Sequence, residues 1–227
     1  HLFLRPDNIY SFTTQYISTT NEQIKVRNFA MIPLLSYQNF LKYFPEKRNL
    51  FDVKAAEMSF TEVVIKDNQL SLKDVKFENP QVKMFTTNAK SAEKKKSFKY
   101  DVNLKNVLFN NGKIDILKPT GLPLFKANHL TMQLSKLLMN EETAKGNIPF
   151  KYENFDFKGK GINYSTTNEN IDVASLIINP KAADFQNISV KPTAINPHKT
   201  SLDLTANLIN IKINNWEFLN NKLKLDV

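Results

Sequence analysis

The sequence predicts an all-β fold: repeated antiparallel hairpins forming an elongated curved sheet or half-open groove, with one short helix near residues 36–44. Three observations predict it. First, the chain resembles itself: Leu72 to Asn88 (LKDVKFENPQVKMFTTN) lies without a gap over Leu104 to Thr120 (LKNVLFNNGKIDILKPT). Second, each copy holds two alternating apolar runs around a turn-forming dipeptide, Asn79-Pro80 or Asn111-Gly112, which is the signature of a β-hairpin. Looser copies follow at Tyr152 to Ser165, with Gly159-Lys160-Gly161 at the turn, and at Ile213 to Leu225, with Asn220-Asn221. Third, apolar-polar alternation recurs over most of the chain, and only one segment carries helical spacing.

In chain order, Ile9 to Ile17 and Glu22 to Ile32 alternate and read as strands, the second ending at Pro33. Ser36 is an N-cap for a helix whose Tyr37, Phe40, Leu41 and Phe44 fall at i, i+3, i+4 and i+7, with Pro45 as a stop signal. That stripe packs against the sheet or caps one end of an open groove. Val53 to Ile65 is a strand, Asp67-Asn68 a turn, and Leu70 to Phe77 and Gln81 to Phe85 the arms of the first hairpin. Phe98 to Phe109 and Lys113 to Leu117 form the next. Pro119 to Pro123 breaks the pattern and Asn128 to Leu138 resumes it. Asn140 to Gly146 is turn-like, and Ile148 to Phe157 with Gly161 to Tyr164 forms the third hairpin. Ile171 to Ile178 ends at Asn179-Pro180, Phe185 to Val190 follows, and Lys191 to Pro197 is a loop. Ser201 to Ile213 and Trp216 to Leu225 close the chain. No composition shift marks a boundary, so residues 1–227 read as a single repetitive β domain.

The 227 residues can bury a sizeable core, and 11% aromatic content with 17 Phe argues against disorder. Glycine is scarce, at 5 residues; Asn takes its place at turns because it tolerates the left-handed conformation. The net charge of +9 would suit an anionic partner, but Lys73, Lys76, Lys83, Lys105, Lys113, Lys212 and Lys224 are spread singly as the polar half of an alternation. Only Lys94, Lys95 and Lys96 form a dense run, a candidate anionic-surface contact. Arg is limited to Arg5, Arg27 and Arg48, which speaks against a nucleic-acid module. With no cysteine there is no disulfide framework and no thiolate metal site. The 3 histidines, His1, His129 and His198, lack partners at metal spacing. No phosphate loop, nucleophile elbow or HExxH pair occurs, and no carboxylate pair is singled out for glycosidic chemistry. The chain is therefore expected to be non-enzymatic, with no cofactor and no metal.

The residues that invite a function are apolar. Val75, Phe77, Val107, Phe109, Phe155, Phe157, Trp216 and Phe218 recur at equivalent repeat positions. Stacked repeats would line them along a groove able to solvate acyl chains; alternatively they are ordinary core residues of a β-sandwich that binds a protein or glycan partner through its loops. The two readings differ in burial: a sandwich buries these rings between two sheets, whereas a groove leaves them partly open.

The run from Ile24 through Met31-Ile32-Pro33, the short helix at Ser36 to Phe44 and the long alternating strands of Met58 to Phe85 resemble the AsmA-like proteins of Gram-negative bacteria. That superfamily includes TamB and relatives of the bridge-like lipid transfer proteins. The segment Asn147 to Thr166 (NIPFKYENFDFKGKGINYST) resembles versions from Bacteroidota. The resemblance implies a non-enzymatic, lipid-binding or lipid-conducting groove with phospholipid or another acyl-chain ligand, and a role in outer-membrane biogenesis. It further implies a periplasmic location, envelope protein partners and membrane contact through an anchor in segments outside this chain. About sixteen strands at ~4.8 Å each would span roughly 75 Å.

Overall fold

A computed structural model describes residues 1–47, 49–89, 101–145, 150–193, 206–219 and 222–226. The all-β expectation holds. The N-terminal part contains β1 (Leu2–Leu4), β2 (Tyr10–Thr14), β3 (Tyr16–Thr19), β4 (Gln23–Pro33), helix α1 (Tyr37–Tyr43) and β5 (Asn49–Thr61). The repeat region supplies β6 (Val64–Lys66), β7 (Gln69–Glu78), β8 (Gln81–Thr86), β9 (Asp101–Leu117) and β10 (Pro123–Met139). After a one-turn 3₁₀ segment come β11 (Asn154–Ser165), β12 (Glu169–Ile178), β13 (Ala183–Pro192), β14 (Ala206–Ile213), β15 (Asn215–Leu219) and β16 (Lys222–Asp226).

Fourteen strands form one mixed sheet in the order β1-β2-β4-β5-β7-β9-β10-β11-β12-β13-β14, while β15 and β16 form a separate two-stranded sheet. β3, β6 and β8 share lanes with other strands, so the main path is eleven strands wide. At ~4.8 Å per strand that is about 50 Å, narrower than the strand count alone implied.

Three of the four expected hairpins are not hairpins. β7 and β8 run end to end in the same direction, both antiparallel to β5, so the chain does not reverse at Asn79-Pro80. β9 passes straight through Asn111-Gly112, and β11 through Gly159-Lys160-Gly161. Only the last copy folds back, as β15 and β16; its expected Asn220-Asn221 turn lies outside the described residues. The two closest copies instead lie side by side in parallel. Leu72 faces Leu104, Val75 faces Val107, Phe77 faces Phe109 and Val82 faces Ile114.

That pairing stacks like on like. The Phe77 and Phe109 rings lie 4.6 Å apart at 5°. Asn106 Nδ2 donates to Asp74 Oδ1 at 2.8 Å, Asn110 Nδ2 to Glu78 Oε2 at 2.7 Å and Asn111 Nδ2 to Asn79 Oδ1 at 2.6 Å.

The dipeptides expected to turn the chain bend it instead. Asn79 (φ 48°), Asn111 (53°), His129 (50°) and Gly161 (58°) are left-handed, and so are Asn28 (52°) and Asn187 (53°). The registers place all six in one line across the sheet, with Ala56 and Ala174 filling the lanes between. Pairing slips by a residue where this line crosses β10 and β13, as a β-bulge does. The inserted residue keeps the apolar face continuous: Phe109 and Ile114 share a face although they are an odd number of residues apart. A second line joins Glu62 (φ 47°) to Lys136 (50°) through Lys73 and Lys105, with a Glu62–Lys73 ion pair of 2.6 Å.

Asn111→Val should therefore lose about 2 kcal/mol, because a β-branched side chain is penalised at positive φ and the amide ladder is broken. Asn111→Gly should stay within about 1 kcal/mol. Urea denaturation of the two variants measures the difference.

Two local expectations are met in detail. Asp67 (φ 48°) and Asn68 (61°) form the two-residue turn joining β6 to β7, with both central residues left-handed as a type I′ turn requires. Ser36 Oγ accepts from Asn39 N at 3.3 Å and caps α1. The helix packs over one end of the sheet: Tyr37 stacks on Phe85 at 5.0 Å, and its hydroxyl donates to Thr86 O at 2.7 Å. Phe40 and Leu50 are the two large side chains less than 2% exposed.

Candidate functional site: an apolar face crossed by unbroken rows

Cross-strand partners in a sheet share a face, so the registers show what that face carries. Following them from lane to lane gives the row Ile17–Val26–Met58–Phe77–Phe109–Met132–Phe157–Ile178–Ala183–Ile213. It crosses ten strands without a polar residue. A second row beside it reads Ile24–Phe60–Val75–Val107–Leu134–Phe155. At ~4.8 Å per lane the first row is about 43 Å long.

These rows collect the residues singled out in the sequence. Phe77, Phe109 and Phe157 lie in the first; Val75, Val107 and Phe155 lie in the second. Phe60 meets Phe77 edge-on at 88°, extending the Phe77–Phe109 stack. Trp216 is on β15, outside the large sheet, where it pairs with Leu225; the side chains of Trp216 and Phe218 lie outside the described residues. Lys94, Lys95 and Lys96 also lie outside them.

Sequence reasoning missed the aliphatic and Met members of the rows, Val26, Met58, Met132 and Ile178. Their signal was cross-strand register, which a single sequence does not print. On the far side of the bulge line the face continues through Leu130, Ala127 and Ile162, which are buried. Gly159 has no side chain there because Leu130 and Ile162 occupy its place: an added Cβ would sit 2.8 Å from Leu130 Cδ2.

Burial decides how this face is covered. Val75 and Val107 are 5% and 3% exposed, packed between taller neighbours. Phe77, Phe109, Phe155 and Phe157 are only half-buried, and Phe40 is the one buried Phe among the described residues. Among residues whose side chains are described, every member of the cluster around Val107 comes from β5 to β11 and the segments joining them, and none from a second sheet. The helix does not cover it either. Leu50, Phe85 and Leu117 pair across the sheet and alternate with the row-bearing face, so α1 sits on the reverse side. The chain exposes 15418 Å², against ~10,600 Å² for a compact monomer of its mass.

At the β1 end the same face opens into a cavity of about 220 Å³, lined by Leu4, Phe12, Ile17, Val26, Phe29 and Met58 among others. Leu2, Phe3 and Leu4 are exposed beside it.

The reverse face is charged and largely self-neutralised, with Lys54–Asp52, Lys76–Glu78 and Lys113–Asp115 ion pairs. Asn106 and Thr61 hold the Asp74 carboxyl below its usual range, and Lys76 and Asn110 do the same for Glu78. A depressed carboxylate stabilises the fold above its unfolded value, ~3.9 for Asp and ~4.3 for Glu, and that stability goes as pH falls through the lower folded value. The melting temperature should thus drop below about pH 4, and Asp74→Asn should flatten that drop; melting curves between pH 6 and 2.5 test it.

No group of three or more His, Asp or Glu is arranged to hold a metal among the described residues. No protein-family model, curated protein or solved structure matches the chain.

Proposed function

We propose that this protein is a non-enzymatic lipid-binding or lipid-conducting module, in which the apolar rows hold the acyl chains of a phospholipid or similar amphiphile. The observation that carries the reading is the ten-strand apolar row, most of its side chains only partly buried, on a face that the helix does not cover and to which no second sheet contributes among residues whose side chains are described. Such a face is an association hazard unless something occupies it. An acyl chain suits it, because burying each methylene is worth ~0.8 kcal/mol, so ten methylenes half-covered on the row gain about 4 kcal/mol. The row is also long enough: one leaflet of a ~30 Å hydrocarbon core holds chains of ~15 Å, and the row exceeds that more than twofold. The proposed setting is the bacterial envelope, with the chain in the periplasm as part of a membrane-anchored protein of the AsmA-like kind that serves outer-membrane biogenesis.

The test is native mass spectrometry of the purified protein, with lipid extraction in parallel. Co-purifying phospholipid, lost on delipidation and regained from vesicles, is expected. A protein that carries no lipid and takes none up would exclude the reading and favour an interaction module that binds a protein or glycan.

A further inference from the structure

The reverse face holds a hollow of about 600 Å³ where the bulge line crosses β8 to β11. Three cross-strand pairs build it: Asn79 with Asn111, Gln81 with Lys113 and Asn128 with Lys160. His129 completes the rim. Every lining residue is polar or glycine, and none is a carboxylate. Two other polar hollows among the described residues differ: one contains Asp52 and Asp115, the other Glu22, Glu62 and Asp74.

The donors here are organised and partly unspent. His129 Nδ1 lies 2.9 Å from Asn111 Oδ1, and Asn111 Nδ2 donates onward to Asn79 Oδ1. Asn111 Oδ1 therefore accepts the imidazole proton, and the Asn79 Nδ2 group at the end of this chain has no acceptor among the described residues. The side chains of Lys160, Asn128 and Gln81 have no hydrogen-bond or ion-pair partner among the described residues. Lys113 is shared with Asp115 at 3.4 Å. Gly161, left-handed at φ 58°, keeps the floor open beside Asn128, whose Nδ2 would lie 3.4 Å from an added Cβ.

We propose that this hollow binds a phosphate monoester carried on a small hydroxyl-bearing body, of the sugar-phosphate class. Lys160 and Lys113 face the phosphate, and the carboxamides of Asn79, Gln81 and Asn128 serve the hydroxyls because each both donates and accepts. The volume lies within the 300–1,000 Å³ or so of small-molecule sites and exceeds what a bare phosphate fills. The hollow is on the face opposite the apolar rows, so its ligand is distinct from any acyl chain held there.

The experiment titrates the whole protein at fixed ionic strength with glucose 6-phosphate, glucose and inorganic phosphate, reading side-chain amide shifts by NMR. Glucose 6-phosphate should give saturable shifts of Asn79, Asn111 and Asn128, at least about 5-fold tighter than either fragment. Lys160→Gln and Asn128→Ala should each weaken it by roughly 10-fold. The exposed control Lys151→Gln should change it less than about 2-fold. Unaltered circular dichroism secures the fold of the variants. Non-saturable shifts, equal binding of inorganic phosphate, equal binding of glucose, or equal effects of Lys160→Gln and Lys151→Gln would each overturn the proposal.

Discussion

Phe109→Asp is expected to give a folded protein that no longer retains lipid, whereas Val107→Asp, two residues earlier on the same strand and face, should not fold. The contrast follows from burial. Val107 is 3% exposed at the centre of its cluster, so a carboxylate there is desolvated without a partner, which costs several kcal/mol and exceeds much of a domain's stability. Phe109 is half-buried, and an aspartate at its position reaches water from the uncovered face. Its cost is the lost ring contact with Phe77, 4.6 Å away, plus part of the ring's burial, about 2–3 kcal/mol together. The lipid loses more, because a charge then interrupts the row it lies on. Lipid per folded molecule should fall by at least about 10-fold, the equivalent of about three or four half-covered methylenes. Circular dichroism, thermal melting and lipid extraction on the two variants measure this. If both unfold alike, the rings are core; if Phe109→Asp keeps its lipid, the row is not the site.

Phe40→Ala should produce the complementary result, a large loss of stability with lipid capture unchanged. Phe40 is 1% exposed, and truncating a fully buried Phe costs about 3–5 kcal/mol. α1 has only seven residues, too few to be stable alone, so without its anchor the Tyr37–Phe85 stack and the bond from Tyr37 to Thr86 go with it. The packing lost is on the reverse face, where Tyr37 meets Phe85, away from the rows. Tyr43→Ala on the same helix, 60% exposed, should stay within about 0.5 kcal/mol. Urea midpoints give the stabilities, and lipid per folded molecule separates the two roles. A fall in lipid equal to that of Phe109→Asp would place α1 on the ligand path.

The class of the fold was legible because alternation and helical spacing are local. The capped helix at Ser36, the turn at Asp67-Asn68 and the strand stops at Pro33 and Asn179-Pro180 all rest on neighbours within a few residues. The path of the strands was not legible, for a definite reason. A two-residue hairpin at Asn111-Gly112 would bring Phe109 opposite Ile114 and Val107 opposite Ile116, one apolar face in all. A left-handed bulge at the same dipeptide leaves the same residues on one face of a straight strand. Both structures write the same pattern, and Asn-Gly suits both. What separates them is pairing with other strands.

A second clue was on the page of the sequence itself. Leu72 to Val75 and Leu104 to Val107 each jump three positions with no Gly or Pro between them, which marks the second line, the one through Lys73 and Lys105. The candidate site was half legible. Its phenylalanines recur in the copies and could be picked out, whereas Met58, Met132 and Ile178 belong to the row only through register.

The in-register pairing of the two copies makes thirty-two residues a unit of width. The residues of β7 and β8 from Gln69 to Glu78 and from Gln81 to Phe85 lie one lane from the position thirty-two further on, so the first copy acts as a template whose edge fits its own duplicate. Growth by tandem duplication then needs no new interface: a third copy inserted after Thr120 would offer the same ladder of Leu, Val, Phe and Asn to the edge before it, widening the sheet by ~4.8 Å per lane while extending every apolar row by one member. Two of the eleven lanes are written in this way, by one segment and its copy.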